Sequence, residues 1–172
     1  PQDLESRIQY TAITMAGRRF EEVLESADAI IAMEPENSAA HLFRGQALLG
    51  LNRQDEAQAA MELAVVIEPE KAAGHLSLAA LHQGLGELDK AEVQVRESLK
   101  EDPTTLGHTM LAALLNEREA DDAEILGHLN SAVEISLVPD EEGKQGNDLS
   151  AAYRNLASFY FDRERAEEGV AI

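Results

Sequence analysis

Ile31-Ala32-Met33-Glu34-Pro35, Val66-Ile67-Glu68-Pro69 and Lys100-Glu101-Asp102-Pro103 end three successive stretches of one chain in the same way. Each is an apolar-periodic run that stops at an acid and a proline, where a helix must break. The chain has five prolines, Pro1, Pro35, Pro69, Pro103 and Pro139, spaced 34, 34, 34 and 36 residues apart. A second landmark recurs midway between them. Gly17-Arg18-Arg19-Phe20-Glu21-Glu22-Val23 aligns with Leu51-Asn52-Arg53-Gln54-Asp55-Glu56-Ala57 and with Leu85-Gly86-Glu87-Leu88-Asp89-Lys90-Ala91. Arg163-Glu164-Arg165-Ala166-Glu167-Glu168-Gly169 echoes it. Each is a polar turn followed by a helix start whose acids face the positive end of the helix dipole. The unit is therefore helix A, a short turn, helix B and a proline-marked turn. Ala40, Phe43, Ala47 and Leu51, then Ala57, Ala60, Met61, Ala64 and Val65, keep the helical period, and no stretch alternates as a strand would.

This pattern resembles the tetratricopeptide repeat (TPR) family across essentially the whole chain. The resemblance rests on a small residue inside helix A, small residues in helix B and the closing proline. The second unit carries Gly45, Ala57, Ala64 and Pro69; the third carries Ala79, Ala91, Ser98 and Pro103; the first carries Thr11, Val23, Ile30 and Pro35. Small residues let the helices cross closely. The resemblance implies an all-α fold, a right-handed α-solenoid of about five helix-turn-helix units and about ten helices, the last unit incomplete. The expected units are approximately 1–37, 38–71, 72–105, 106–141 and 150–172, with a Gly- and acid-rich surface loop inserted at 142–149. The fourth unit is two residues longer. With Ala113 in the normal register of its helix A, the extra pair falls in the turn around Glu119-Ala120-Asp121-Asp122.

The 172 residues include 33 Asp and Glu against 14 Lys and Arg, a formal net charge of −19. The charge is spread along the repeats, with no basic patch. That excludes nucleic acid and anionic membrane as natural partners, since both are negative. The even spread suits a solvated surface, and it would also steer a cationic partner. No apolar stretch is long enough to span a bilayer, so no membrane insertion is expected. The chain reads as soluble, cytoplasmic or periplasmic, and its start, without Met, reads as truncated or processed. Zero Cys removes disulfides, thiolate metal sites and cysteine nucleophiles.

His41 and His75 are 34 residues apart and His108 lies near the next equivalent place. Equivalent places on stacked helices stand on the order of 10 Å apart, too far to share an ion bound at about 2.0–2.1 Å. These histidines and His82 take places that large aromatic residues hold in the family, which implies packing roles. His128 carries no signal by itself. No phosphate loop, GxSxG or HExxH motif is present. Asp55-Glu56 and Asp121-Asp122 are adjacent on helices, about 100° apart, and read as caps rather than as carboxylate dyads. No enzyme activity, metal or cofactor is expected from these residues.

The function expected is that of a protein-interaction module. Each helix A carries a second apolar stripe beside the one that packs the array. It comprises Ile8, Ala12 and Met15 in the first unit, and Leu42, Gln46 and Leu49 in the second. In the third it comprises Leu76, Ala80 and Gln83, and in the fourth Met110 and Leu114. A surface helix needs one apolar face; a second one needs a cover. The expected cover is a partner segment with apolar side chains, cationic groups being compatible with the charge, lying in the concave groove. The competing cover is internal, through tight curvature or a terminal helix. The alternative function is a regulatory or self-assembly domain of a larger, enzymatic protein. One TPR subclass grips the carboxylate of chaperone tails with Lys, Asn and Arg on its A helices. The matching places here hold Leu42 and Gln46, Ser77 and Ala80, and Gly107 and Leu111, so no clamp for a chaperone tail is expected.

Overall fold

The computed structural model describes residues 3–138 and 149–163. Residues 142–148 of the expected 142–149 loop, Pro139 and the second helix of the fifth unit lie outside the described residues; Leu149, expected in the loop, is instead the first residue of a helix. Among those described there are nine helices and no strand: α1 Leu4–Ala16, α2 Phe20–Met33, α3 Ser38–Gly50, α4 Gln54–Ile67, α5 Ala72–Gly84, α6 Leu88–Glu101, α7 Thr105–Glu117, α8 Asp122–Leu137 and α9 Leu149–Asp162. None is long and apolar enough to cross a membrane. The odd-numbered helices are the A helices of the sequence repeat, and α2, α4, α6 and α8 are the B helices. Among the described residues the architecture is all-α, with consecutive helices packed on one another within α1–α5 and within α6–α9.

Local chemistry sets where the helices begin and end. Asp3, Asn37 and Thr104 accept a bond from the backbone N–H three residues on, at 2.8, 3.0 and 3.0 Å, and so cap α1, α3 and α7. Each A-to-B turn places one residue in the left-handed region: Arg18, Asn52, Gly86 and Glu119. Only Gly86 adopts that conformation without a Cβ penalty.

The chain divides into two compact units, Pro1–Leu85 and Gly86–Ile172. In the first, α3 is central: it packs against α1, α2, α4 and α5. Its Gly45 explains the small residue of the repeat, because a Cβ there would stand 2.7 Å from the Met61 Cγ and 3.1 Å from the Ala57 carbonyl of α4. Leu48, Ala57 and Ala60 form one buried cluster, and Met61, Leu78 and Leu81 a second, with Leu42 and Val65 packed on it. The divergent first repeat has a polar contact at this level: the hydroxyls of Thr11 and Ser26, both buried, lie 2.6 Å apart. In the second unit α7 is the corresponding centre, packed on α6, α8 and α9. Its core holds Val95, Leu111, Leu114, Ile125, Leu129 and Ala132.

The fourth repeat departs from the expected register. The turns before α3 and α5 have four residues, 34–37 and 68–71, but the turn before α7 has three, 102–104. The α7 helix thus starts one position early, relative to α5, than the repeat spacing requires. The buried small residue of its helix is Ala112, not Ala113, which is exposed. The two additional residues do not sit together in the turn either. The A-to-B turn 118–121 is one residue longer than its counterparts, and α8, at 16 residues, is two longer than α2, α4 and α6 at 14.

Candidate partner-binding surface

The stripe read from the sequence falls on the fifth, ninth and twelfth positions of α1, α3 and α5. In the first unit most of these residues reach the surface. Ala12, Leu49 and Ala80 are exposed, and Ile8, Met15, Leu42, Gln46 and Gln83 are half-buried. The Gln46 amide donates to the Ser77 hydroxyl at 3.5 Å, so α3 and α5 present neighbouring groups on one face. Leu42 divides its surface between this face and the core cluster beneath it. Leu76 is a correction: only 9% of it is accessible, and it is a buried residue rather than a free groove leucine.

The short turn before α7 also corrects the fourth-repeat residues. A one-residue shift rotates a helix face by about 100°. Leu114 therefore sits at the tenth helix position, where Ala47 and Leu81 are buried, and none of its surface is exposed. Met110 is half-buried at the sixth. The places equivalent to Leu42, Gln46 and Leu49 are held by Thr109, Ala113 and Asn116, which strict counting by the proline spacing misses. A signal for the shift was present: Thr104 directly follows Pro103 and can cap there, whereas Asn37 stands one place further from Pro35.

Thr109, Ala113 and Asn116 line a cleft of about 170 Å³ between α7 and α9. Ile125 and Leu129 of α8 and Phe159 of α9 give it an apolar lining; Asn155, Ser158 and Asp162 of α9 join Asn116 as its polar groups. Arg163 lies 4.5 Å over the Phe159 ring and binds Asp122 of α8 at 3.0 Å, which ties α9 to α8 beside the cleft. The cleft combines an apolar floor with amides that can both donate and accept hydrogen bonds.

The histidines divide by the same turn. His41 and His75, both buried, point Nε2 at the carbonyl six residues back, Pro35 at 2.8 Å and Pro69 at 2.9 Å. These are helix-entry fasteners, in line with packing roles. His108 occupies the equivalent fourth position of α7, but Pro103 is only five residues back. Its ring turns instead to His128 on α8, with Nδ1 atoms 3.0 Å apart and ring centroids 5.3 Å apart. His128, which carries no signal in the sequence, is thus one half of a pair. Burial holds the pKa of both imidazoles below the usual histidine value; His128 lowers that of His108 further, and Arg96 lowers that of His128. Around them Arg96 bridges Glu92 at 2.8 Å and Glu124 at 2.9 Å, and Arg118 binds Glu92 and Asp89. Burial by itself would raise the Glu92 pKa, but the two guanidiniums outweigh it and keep the carboxyl ionised. Among the described residues no three His, Asp or Glu side chains converge as a metal site.

No family model and no curated protein sequence matches the chain. Solved structures do. The thermophilic TPR protein TTC0263 of Thermus thermophilus superposes with a TM-score of 0.78 at 21% identity, over 94% of this chain and 83% of its own. The fold is that of the tetratricopeptide repeat. YrrB, a TPR protein with an unusual peptide-binding site, superposes at 0.62 with 16% identity, over 98% of this chain and 82% of its own. The first TPR of Spaghetti, bound to the HSP90 peptide SRMEEVD, superposes at 0.63 with 15% identity, over 69% of this chain and 98% of its own. The equivalent A-helix places 42, 46, 49, 76, 80 and 83 of the first unit, and 109, 113 and 116 of the second, hold no Lys or Arg.

Proposed function

We propose that this TPR protein is an interaction scaffold that holds a segment of a partner protein on its A-helix face. The observation that supports this most directly is the cleft between α7 and α9, where Ala113, Asn116 and Asn155 surround an opening whose floor is made by the largely buried Ile125, Leu129 and Phe159. A cleft with an apolar floor and amides at its mouth can take up one side chain of a bound peptide and hydrogen-bond its main chain. By itself, the first unit carries polar and apolar groups of the same kind on its A helices, at Leu42, Gln46, Leu49 and Ala80. The partner segment offers apolar side chains to the cleft and its main chain to the amides. Acidic chaperone tails are not its ligands: the A-helix face has no cation at the places named, and an acidic protein repels a carboxylate.

Affinity capture from the source cell with the wild-type chain and with Ala113→Arg tests the reading. Ala113 is exposed, so the arginine fills the cleft without disturbing the fold. A partner recovered by the wild type and lost with Ala113→Arg supports the proposal. A partner set unchanged by Ala113→Arg removes the cleft from the binding surface. Micromolar binding of SRMEEVD by calorimetry would overturn the exclusion of acidic tails.

A further inference from the structure

Helix α1 is built like an A helix from inside the array. In both units an A helix receives the B helix that precedes it: α3 receives α2, α5 receives α4 and α7 receives α6. The receiving face repeats. Its third helix position is small: Ala40, Gly74 or Gly107. A Cβ would stand 2.9 Å from Val65 Cγ2 at Gly74 and 2.7 Å from Leu99 Cδ2 at Gly107. Val65 and Leu99 each lie four residues before the proline of their repeat. The seventh and tenth positions lie under the same B helix. Leu78 and Leu81 cluster with Met61, one turn before Val65, and Arg44 reaches back to Asp28 of α2 at 2.9 Å. Leu111 and Leu114 are buried at these places in α7.

On α1 these places are Ser6, Tyr10 and Ile13. Among the described residues α1 packs only on α2 and α3, and this face stays open. Tyr10 is 40% exposed and Ile13 74%, whereas Ala47, Leu81 and Leu114, at the place of Ile13, are at most 2% exposed. Ser6 is exposed and keeps the small size that the face requires. An array face that meets only water is polar. Tyr10 and Ile13 instead continue the pattern of a helix that receives another.

We propose that the Ser6–Tyr10–Ile13 face of α1 docks an amphipathic helix of a partner molecule, in the way that α5 receives α4. The partner helix seats a branched aliphatic side chain over Ser6, as Val65 sits on Gly74. A flexible apolar side chain four residues earlier covers Tyr10 and Ile13, as Met61 covers Leu78 and Leu81. The far side of the partner helix faces water and carries no net negative charge, because the chain it docks on has a formal charge of −19. This face lies in the first unit, uses none of the residues of the α7–α9 cleft and does not depend on the function proposed for that cleft.

The test uses the whole chain and a peptide of residues 54–71, which is α4 with its closing turn. The peptide carries Asp55→Gln, Glu56→Gln and Glu62→Gln to remove repulsion, and a hydrocarbon staple between positions 59 and 63, both exposed on α4, to keep it helical. Calorimetry should show binding. Ile13→Asp in the chain should weaken it about ten-fold or more at unchanged melting temperature, since Ile13 is largely exposed in the free protein. Val65→Asp in the peptide should weaken it as much, and Ala113→Arg in the chain should leave it unchanged. No binding of the stapled peptide, equal binding by wild type and Ile13→Asp, or loss of binding with Ala113→Arg overturns the proposal. A wild-type chain that sediments as a dimer while Ile13→Asp is a monomer would also overturn it, by making a second copy the occupant. If Ile13→Asp does not fold, Val65→Asp in the peptide decides.

Discussion

Leu114 and Ala113 are neighbours with opposite assignments, and exchanging their roles would undo the register of the fourth repeat. The Leu114 side chain is wholly inaccessible. Truncating it to alanine removes a buried isobutyl group worth about 1.5–3 kcal/mol of transfer free energy. The cavity left in a packed centre raises the cost to about 3–4 kcal/mol, within the usual range of about 2–5 kcal/mol for Leu to Ala. If the Gly86–Ile172 unit melts as one body, each kcal/mol lowers its midpoint by about 4–8 °C. Leu114→Ala should therefore lower that midpoint by more than about 10 °C. Ala113→Glu, at an exposed position of the same helix, should stay within about 0.5 kcal/mol of wild type. Far-UV circular dichroism during urea and thermal unfolding reads both. If Leu114→Ala costs under about 1 kcal/mol while Ala113→Glu costs more than about 2 kcal/mol, the unshifted repeat register holds, and Leu114 belongs to the exposed stripe after all.

Four further outcomes are expected. Gly45→Val should destabilise the first unit by about 1–3 kcal/mol, because its Cβ would press on Met61 and the Ala57 carbonyl; a neutral result in urea titration would show that α3 and α4 have room there. Leu76→Glu should lower the melting temperature sharply, whereas Leu49→Glu should not, since burial separates the two residues of the same stripe. Acid should weaken the His108–His128 contact. Both folded-state pKa values are lowered, so the unfolded chain binds protons first; stability is full above the unfolded histidine value near 6.5 and is lost progressively as pH falls through and below it. His128→Phe should flatten the fall in stability between about pH 7 and pH 5, and a slope equal to that of the wild type would show that the pair does not titrate with folding. Glu92 acts in a lower window: its depressed pKa contributes stability above about 4.5 that disappears as pH falls further.

Proline spacing and the helical period determined the helices, their order and the small residues at their crossings before any packing is considered. That information is local: a helix must stop before Pro35, Pro69 and Pro103, and Gly45 is small because Met61 and the Ala57 carbonyl of the next helix leave no volume for a Cβ. The first-unit stripe was legible for the same reason, since α1, α3 and α5 start at equal intervals, at Leu4, Ser38 and Ala72. Tertiary structure decided the rest. Whether Leu76 is groove or core depends on what covers it, which no period encodes. One residue fewer between Pro103 and the start of α7 rotates that helix by about 100°, moving Leu114 inward and Ala113 outward while leaving the proline ladder intact. The His108–His128 pair follows from that shift, because two residues so far apart in sequence meet only when α7 and α8 are packed. A sequence specifies which faces are apolar; it takes the packed helices to show which of those faces are still uncovered.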